Sequence, residues 1–123
     1  MSESQRNYSI PAQYSDFVKN LLDGCRNGHR EVVELSYKIF CNHKLDMNSI
    51  LEDAFISLCE NGHKEIAEWL YNQCSKNLGK RKIESLILKS FCCSCKSGYK
   101  NVAEWLYELS KDDNIKLNNL GLV

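Results

Sequence analysis

The sequence predicts an all-α protein that stacks about three copies of one helix-turn-helix unit. Three observations lead to this fold class: one segment recurs in register, its apolar residues are spaced as in a helix, and Pro11 is the only proline. Alternation of apolar and polar residues, which is typical of a half-buried strand, is scarce. At 123 residues the chain has the length of one domain.

Three segments align when the glycines are placed in register. Residues 21–37 read LLDGCRNGHREVVELSY, residues 55–71 read FISLCENGHKEIAEWLY, and residues 91–107 read FCCSCKSGYKNVAEWLY. The shared glycines are separated by 34 and then 36 residues, and they are Gly28, Gly62 and Gly98. Periods of this length are typical of arrays in which each unit buries its apolar stripe against its neighbours.

Each segment divides into two helices joined by a tight corner. In the second unit the first helix is predicted from apolar residues at three- and four-residue spacing, namely Ile50, Leu51, Ala54, Phe55 and Leu58. Asn61-Gly62 then ends it, because glycine readily adopts the left-handed backbone that closes a helix. A second helix begins at once, with Glu65 in its first turn, where the helix dipole favours an acid.

We predict a single domain over residues 1–123, with repeats at about 15–47, 48–80 and 81–113. Residues 1–14 form an N-terminal extension, and residues 114–123 form a C-terminal cap or a partial repeat. The apolar residues of the tail include Ile115, Leu117, Leu120 and Leu122. They would either fold back on the array or leave an open end that pairs with another copy.

The three units resemble ankyrin repeats over residues 15–110. The resemblance rests on a small residue before the corner, on the corner itself, and on the aliphatic start of the second helix. The small residue is Cys25, Cys59 or Cys95, and the corner is Gly28-His29, Gly62-His63 or Gly98-Tyr99. The variant with NGH and WLY is similar to divergent ankyrin arrays of giant DNA viruses and some protists. The resemblance implies a solenoid of about three repeats that recognises another protein.

Two features of the ankyrin pattern are missing. The Thr-Pro-Leu-His opening of the first helix is replaced, for example by Asp53-Ala54-Phe55-Ile56, and the Gly-Ala-Asp of the hairpin between units is absent. The additional residues of the longer periods lie between units. We therefore expect the hairpin fingers to be short, replaced by loops, or absorbed into longer helices. Tetratricopeptide repeats, at ~34 residues, are the structural alternative, but they lack the Gly-His corner.

Composition argues against several classes of function. Sixteen Lys and Arg residues balance sixteen Asp and Glu residues, so the net charge is zero and nucleic-acid binding is not expected. No segment approaches the ~18 apolar residues of a membrane helix. The polar start MSESQRNYS does not resemble a secretory signal. We expect a cytoplasmic protein with seven free thiols, in the host cytoplasm if the protein is viral.

One motif points to a different chemistry. His63-x-Glu65 followed by Cys92-x-x-Cys95 is close to the spacing of a zinc nucleobase deaminase. The matching segment of the first unit has the histidine and glutamate without a cysteine pair, and the third unit has neither residue. The interpretation that explains all three units makes the histidines corner residues, whose rings hydrogen-bond backbone between neighbouring units. We therefore expect no enzyme, and a zinc-dependent deaminase is the remote alternative.

The cysteines near the third corner are Cys92, Cys93 and Cys95. A structural zinc site needs four ligands, usually from two short knuckles, and no second knuckle is visible. We expect Cys95 to be the small buried residue of its repeat, with Cys92 packed beside it. Neither a metal nor a cofactor is predicted.

The expected function is binding of an unidentified protein partner through first-helix and loop surfaces. The exposed first-helix positions are predicted to be Asp23, Arg26, Ser57, Glu60, Ser94 and Lys96. The segment SKNLGKRK at 75–82 is predicted to be a loop that adds Lys76, Lys80, Arg81 and Lys82. A monomer is expected. The alternative is a structural or truncated repeat piece that self-associates through its C-terminal end.

Overall fold

The computed structural model describes residues 11–43 and 48–112 of the chain. These ranges contain six α-helices, two short 3-10 turns and no strand, which confirms the all-α prediction. The helices are α1 (Ser15–Asn27), α2 (Arg30–Asn42), α3 (Asn48–Glu60), α4 (Lys64–Cys74), α5 (Lys80–Ser97) and α6 (Lys100–Asp112). Within these ranges, no helix has both the length and the apolar content needed to cross a membrane.

The six helices form three pairs in two layers. The first helices α1, α3 and α5 lie side by side in chain order, and each of the second helices α2, α4 and α6 packs on the first helix of its own pair. One continuous core lies between the layers, and its largest fully buried side chains include Phe40, Phe55, Leu58, Leu70 and Leu106. The first helices are therefore the layer through which neighbouring pairs make most of their contact.

Each pair turns at a left-handed glycine. The φ angles of Gly28, Gly62 and Gly98 are 73°, 79° and 80°, a region that favours glycine. The N–H of His29 donates to the carbonyl of Gly24 at 2.9 Å, and the equivalent bonds at the other corners measure 2.8 Å and 3.0 Å. A hydrogen bond from the residue after a left-handed glycine to a carbonyl in the last turn is a common way to end a helix. The predicted glycine corners are confirmed in all three pairs.

At the first two corners, a side-chain ring from the next pair lies against the glycine. A Cβ placed on Gly28 would lie 2.5 Å from the His63 ring, and one on Gly62 would lie 2.5 Å from the Tyr99 ring. His63 Nε2 donates to the carbonyl oxygen of Arg26 at 3.1 Å. The predicted role of the corner histidine, a hydrogen bond to backbone of the neighbouring unit, is thus confirmed for His63.

A second aromatic contact links the outer helices of successive pairs. The Trp69 ring meets Tyr37 edge to face at 5.5 Å between centroids, and Trp105 meets Tyr71 in the same way at 6.2 Å. Such edge-to-face pairs stabilise a fold by about 0.5–1.5 kcal/mol beyond the contribution from burying the rings. The hydroxyl of Tyr37 also donates to the carbonyl of Gln73 at 3.3 Å. Each junction between pairs therefore combines a ring over a glycine with a ring against a tyrosine.

The predicted loop at 75–82 is shorter in the structure. It ends at Gly79, after a 3-10 turn at Ser75–Asn77, and Lys80, Arg81 and Lys82 lie in the first turn of α5. Helix α5 begins early because the buried stripe of Ile83, Leu86 and Ile87 extends close to its start. At 18 residues α5 is longer than α3 at 13, so the helix absorbs the additional residues of the second period.

Several predictions on the connections have mixed outcomes. No hairpin finger forms over 75–79, in agreement with the expectation of short or absent fingers. The first connection includes residues 44–47, which lie outside the described residues. The predicted N-terminal extension also lies mostly outside them, and the C-terminal cap at 114–123 lies wholly outside.

The glycine corners allow a matched test of the junction. Gly28→Ala and Gly98→Ala both place a side chain in left-handed backbone, at about 1–2 kcal/mol. Only the first also displaces a ring, because a Cβ on Gly98 would meet nothing within 4 Å among the described residues. We expect Gly28→Ala to lower the free energy of unfolding by about 1–3 kcal/mol more than Gly98→Ala. Urea denaturation of the two variants measures the difference, and equal losses would contradict the ring contact.

Candidate protein-binding surface

A row of charged side chains crosses the last turns of the first helices. Arg26, Glu60 and Lys96 occupy the same register position, two residues before each corner glycine, and all three are exposed. Because α1, α3 and α5 lie side by side, these side chains follow one another across the layer. We call Arg26, Glu60 and Lys96 the charged row. Its charges alternate in sign along the stack.

Two further predicted contact residues flank the charged row. Asp23 lies one turn before Arg26 and pairs with it at 3.7 Å, with about half of each side chain exposed, 47% and 51% respectively. An exposed pair of this kind contributes about 0–1 kcal/mol to stability. Ser57 is the residue of α3 equivalent to Asp23, and it is half-buried. Asp23 and Ser57 therefore stand beside the charged row, and both residues are half-buried where the sequence predicted exposed positions.

Ser94 does not belong to this surface. The prediction placed it among the exposed residues, but it is fully buried. Its hydroxyl donates to the Ser90 carbonyl at 2.8 Å, with the Cys59 carbonyl also within reach at 3.3 Å. The predicted register was wrong by one residue. The residue of the third pair that is equivalent to Asp23 and Ser57 is Cys93.

A second charged feature lies at the other end of α5. We call Lys76, Lys80, Arg81 and Lys82 the basic cluster, and all four residues are exposed. Three of them occupy the first turn of α5, which contains no acid. The amino end of a helix already carries partial positive charge, so the basic cluster and the helix dipole both make the electrostatic potential there more positive. At 1.5 Å per residue, α5 separates Lys80 from Lys96 by roughly 24 Å.

The cysteines of the corners differ in burial. Cys25 and Cys59 are fully buried, as predicted for the small residue of the repeat, whereas Cys95 is exposed and the prediction for it is wrong. Cys59 lies against α5, beside Ser90 and Cys93. No described residue packs in the same way on Cys95, because no fourth pair follows within residues 11–112. Burial at this position therefore depends on the next pair, and the cysteine alone does not determine it.

Burial keeps the inner thiols protonated. It raises the pKa of Cys25 to about 12 and that of Cys74 to about 11, and the pKa of Cys59 also rises. The pKa of Cys93 is raised by partial burial and then by the carboxylate of Glu60, to which its thiol is hydrogen-bonded. A nucleophilic or metal-binding thiol needs the opposite shift, because the thiolate is the reactive form.

The motif that resembled a deaminase is dispersed in the structure. The His63 ring is held on Gly28 and the Arg26 carbonyl, and Glu65 is exposed in the first turn of α4. Within residues 11–43 and 48–112, no group of three or more His, Cys, Asp or Glu side chains is placed to hold a metal ion. The structure therefore does not bring His63 together with Cys92 and Cys95.

The buried thiols predict a loss of stability at alkaline pH. An unfolded thiol ionises at about 8.5, whereas the buried thiols keep their protons well above that value. From about pH 9 upward the unfolded state releases protons that the folded state retains, so the free energy of unfolding falls with pH. The slope is up to about 1.4 kcal/mol per pH unit for each such thiol. Denaturant titrations between about pH 8 and 11 measure it.

A buried thiol and a buried aliphatic side chain form a matched pair in those titrations. Cys25→Ala removes a buried thiol and should make the alkaline decline shallower. Val33→Ala removes buried carbon atoms and no titrating group, so it should lower the free energy of unfolding equally at every pH. An equal change of slope in the two variants would contradict the assignment of the decline to the buried thiols.

Comparison of this chain with protein-family models, with curated proteins and with solved structures finds no match.

Proposed function

We propose that this protein is a non-enzymatic interaction module of the ankyrin type, which binds a partner protein through the exposed ends of its first helices. The charged row carries the proposal, because three stacked helices present Arg26, Glu60 and Lys96 at one register position. The repeated glycine corner, with a ring of the next pair over Gly28 and over Gly62, supports the resemblance to an ankyrin solenoid. In such arrays, contact with a partner is spread over several units.

The sign of the charges defines the partner that fits the charged row. A positive, a negative and a positive side chain follow one another, so a complementary surface would present an acid, a base and an acid. Such a contact gains orientation and rate of association from its charges more than affinity, and it weakens with salt. We therefore infer a salt-sensitive complex of modest affinity.

The basic cluster extends the same interaction. Three of its cations occupy the amino end of α5, where the helix dipole disfavours positive charge by about 0.3–1 kcal/mol per residue. A cluster that is unfavourable for the helix is useful if an acidic segment of the partner binds there. Because the cluster and Lys96 are roughly 24 Å apart, the partner would be an extended segment or a domain face.

The setting proposed for this function is the cytoplasm. All seven cysteines are unpaired, and three of them are buried as neutral thiols in the core. Reducing compartments keep cysteines in that state.

Charge reversal in the charged row tests the proposal. Arg26→Glu combined with Glu60→Lys inverts two of its three charges and keeps the net charge of the chain. We expect recovery of the partner from cells that naturally make the protein to fall at least about tenfold, by quantitative mass spectrometry of the captured proteins. Circular dichroism should show unchanged helix content, because both side chains are exposed.

A matched control exchanges charges on the opposite layer. Lys38→Glu combined with Glu104→Lys alters two exposed residues of α2 and α6 and also keeps the net charge. Proteins that bind the surface specifically are lost with the first variant and kept with the control. If both variants recover the same proteins as the natural sequence, the charged row is not the binding surface.

The basic cluster gives a test in which stability and binding move in opposite directions. Lys80→Glu with Lys82→Glu places acids at the amino end of α5, and we expect the free energy of unfolding to rise by about 0.5–2 kcal/mol for the pair. The same variant should recover less partner. The control is Lys89→Glu, an exposed residue in the middle of α5. A variant that is stabilised and binds fully would remove the basic cluster from the proposed surface.

A further inference from the structure

The first helix pair exposes apolar residues at positions that are buried or partly buried in the later pairs. Val32 is 38% exposed, but the equivalent Ile66 and Val102 are buried, at 7% and 0%. Leu35 is 61% exposed, whereas Trp69 and Trp105 at the same position pack on tyrosines of the preceding pair. We call His29, Val32 and Leu35 the leading face. It is the side of a pair that rests on the pair before it.

The third helix pair shows the converse. Tyr107 is 42% exposed, with the Lys111 ammonium 4.6 Å from its ring centroid, although Tyr37 and Tyr71 at the same position are each 9% exposed. Cys95 is exposed where its two equivalents are fully buried, and no ring of a described residue lies over Gly98. We call Cys95, Gly98 and Tyr107 the trailing face. It is the side of a pair that receives the next one.

The two open faces are the separated halves of one junction. Inside the stack, the His63 ring covers Gly28 and donates a hydrogen bond to the Arg26 carbonyl. At the start of the stack, His29 is the same residue type at the same corner, and it is exposed. At the far side, Gly98 has the same left-handed φ, with open space where a ring would lie. Leu35 likewise stands where a tryptophan contacts the tyrosine equivalent to Tyr107.

We propose that the leading face of one copy of this chain docks on the trailing face of a second copy, head to tail. His29 then covers Gly98 of the other copy, and Leu35 packs on its Tyr107. This contact continues the internal junction between helix pairs across two chains. It uses faces other than the charged row and does not depend on the proposed partner.

Two polar residues set the strength of this association. Asp16 and Asn20 are exposed in α1 and occupy the positions of Ile50 and Ala54 in α3, which are fully buried. Their side chains reduce the apolar area that a second copy buries, and they resemble the polar outer face of a terminal repeat. The junction between copies is therefore weaker than the internal junctions, and association requires high protein concentration.

The association is heterologous, so growth does not stop at a dimer. Sedimentation of the full chain from about 10 μM to 1 mM should give a weight-average mass that rises past that of two copies. Leu35→Lys disables the leading face and Cys95→Lys the trailing face, and each variant alone should remain a monomer. Mixed in equal amounts, they should form dimers and nothing larger, because one intact face remains on each chain.

Controls and contrary outcomes separate this arrangement from others. Asn72→Lys, at an exposed position of α4, should associate like the natural chain, and Tyr107→Lys should reproduce Cys95→Lys. A dimer that Leu35→Lys leaves intact would overturn the proposal in favour of a two-fold pairing of trailing faces. A monomer at every concentration would also overturn the proposal. In that case, a lower free energy of unfolding in Leu117→Asp or Leu120→Asp would identify residues 113–123 as the segment that covers the trailing face.

Discussion

The left-handed glycine corner is the constraint on which the remaining structure depends. Its positive φ reverses the chain within two residues, so that the second helix of a pair can pack back on the first. Its lack of a Cβ lets the ring of His63 or Tyr99 approach a position that a side chain would occupy. One residue therefore fixes both the turn inside a pair and the distance to the next pair. The recurrence of this corner in all three pairs orders the stack.

Stacking decides the burial of side chains that the sequence makes equivalent. Cys25 and Cys59 lie beneath a following pair and are fully buried, whereas Cys95 at the same register position is exposed. Desolvation raises the thiol pKa at all three positions. Tyr37 is enclosed by Trp69 and is 9% exposed, whereas Tyr107 is 42% exposed and has the Lys111 ammonium over its ring. The burial of a side chain thus follows from the place of its pair in the stack and not from residue type.

The sequence was sufficient for features that repeat and insufficient for those at the ends. Helical spacing and three aligned glycines predicted the helix pairs. Comparison of His63 with the equivalent corner residues His29 and Tyr99 predicted its hydrogen bond to backbone. The exposure of Cys95 could not be obtained this way, because the repeat pattern places it with two buried residues. Ser94 was misplaced because one residue of register exchanges the buried and exposed faces of a helix. The start of α5 depended on a buried stripe that continues through the predicted loop.

Positions that stacking constrains and positions that it leaves open carry different residues. Gly24, Leu58 and Ser94 are at one register position and all are buried, so their size is limited by the neighbouring helices. Two residues further on, Arg26, Glu60 and Lys96 meet no such limit, and their side chains differ in charge and shape. Because the left-handed corner depends on its glycine, the adjacent exposed positions are free to differ from one pair to the next. This separation explains how a stack with a strict internal rule can present a surface that varies from one pair to the next.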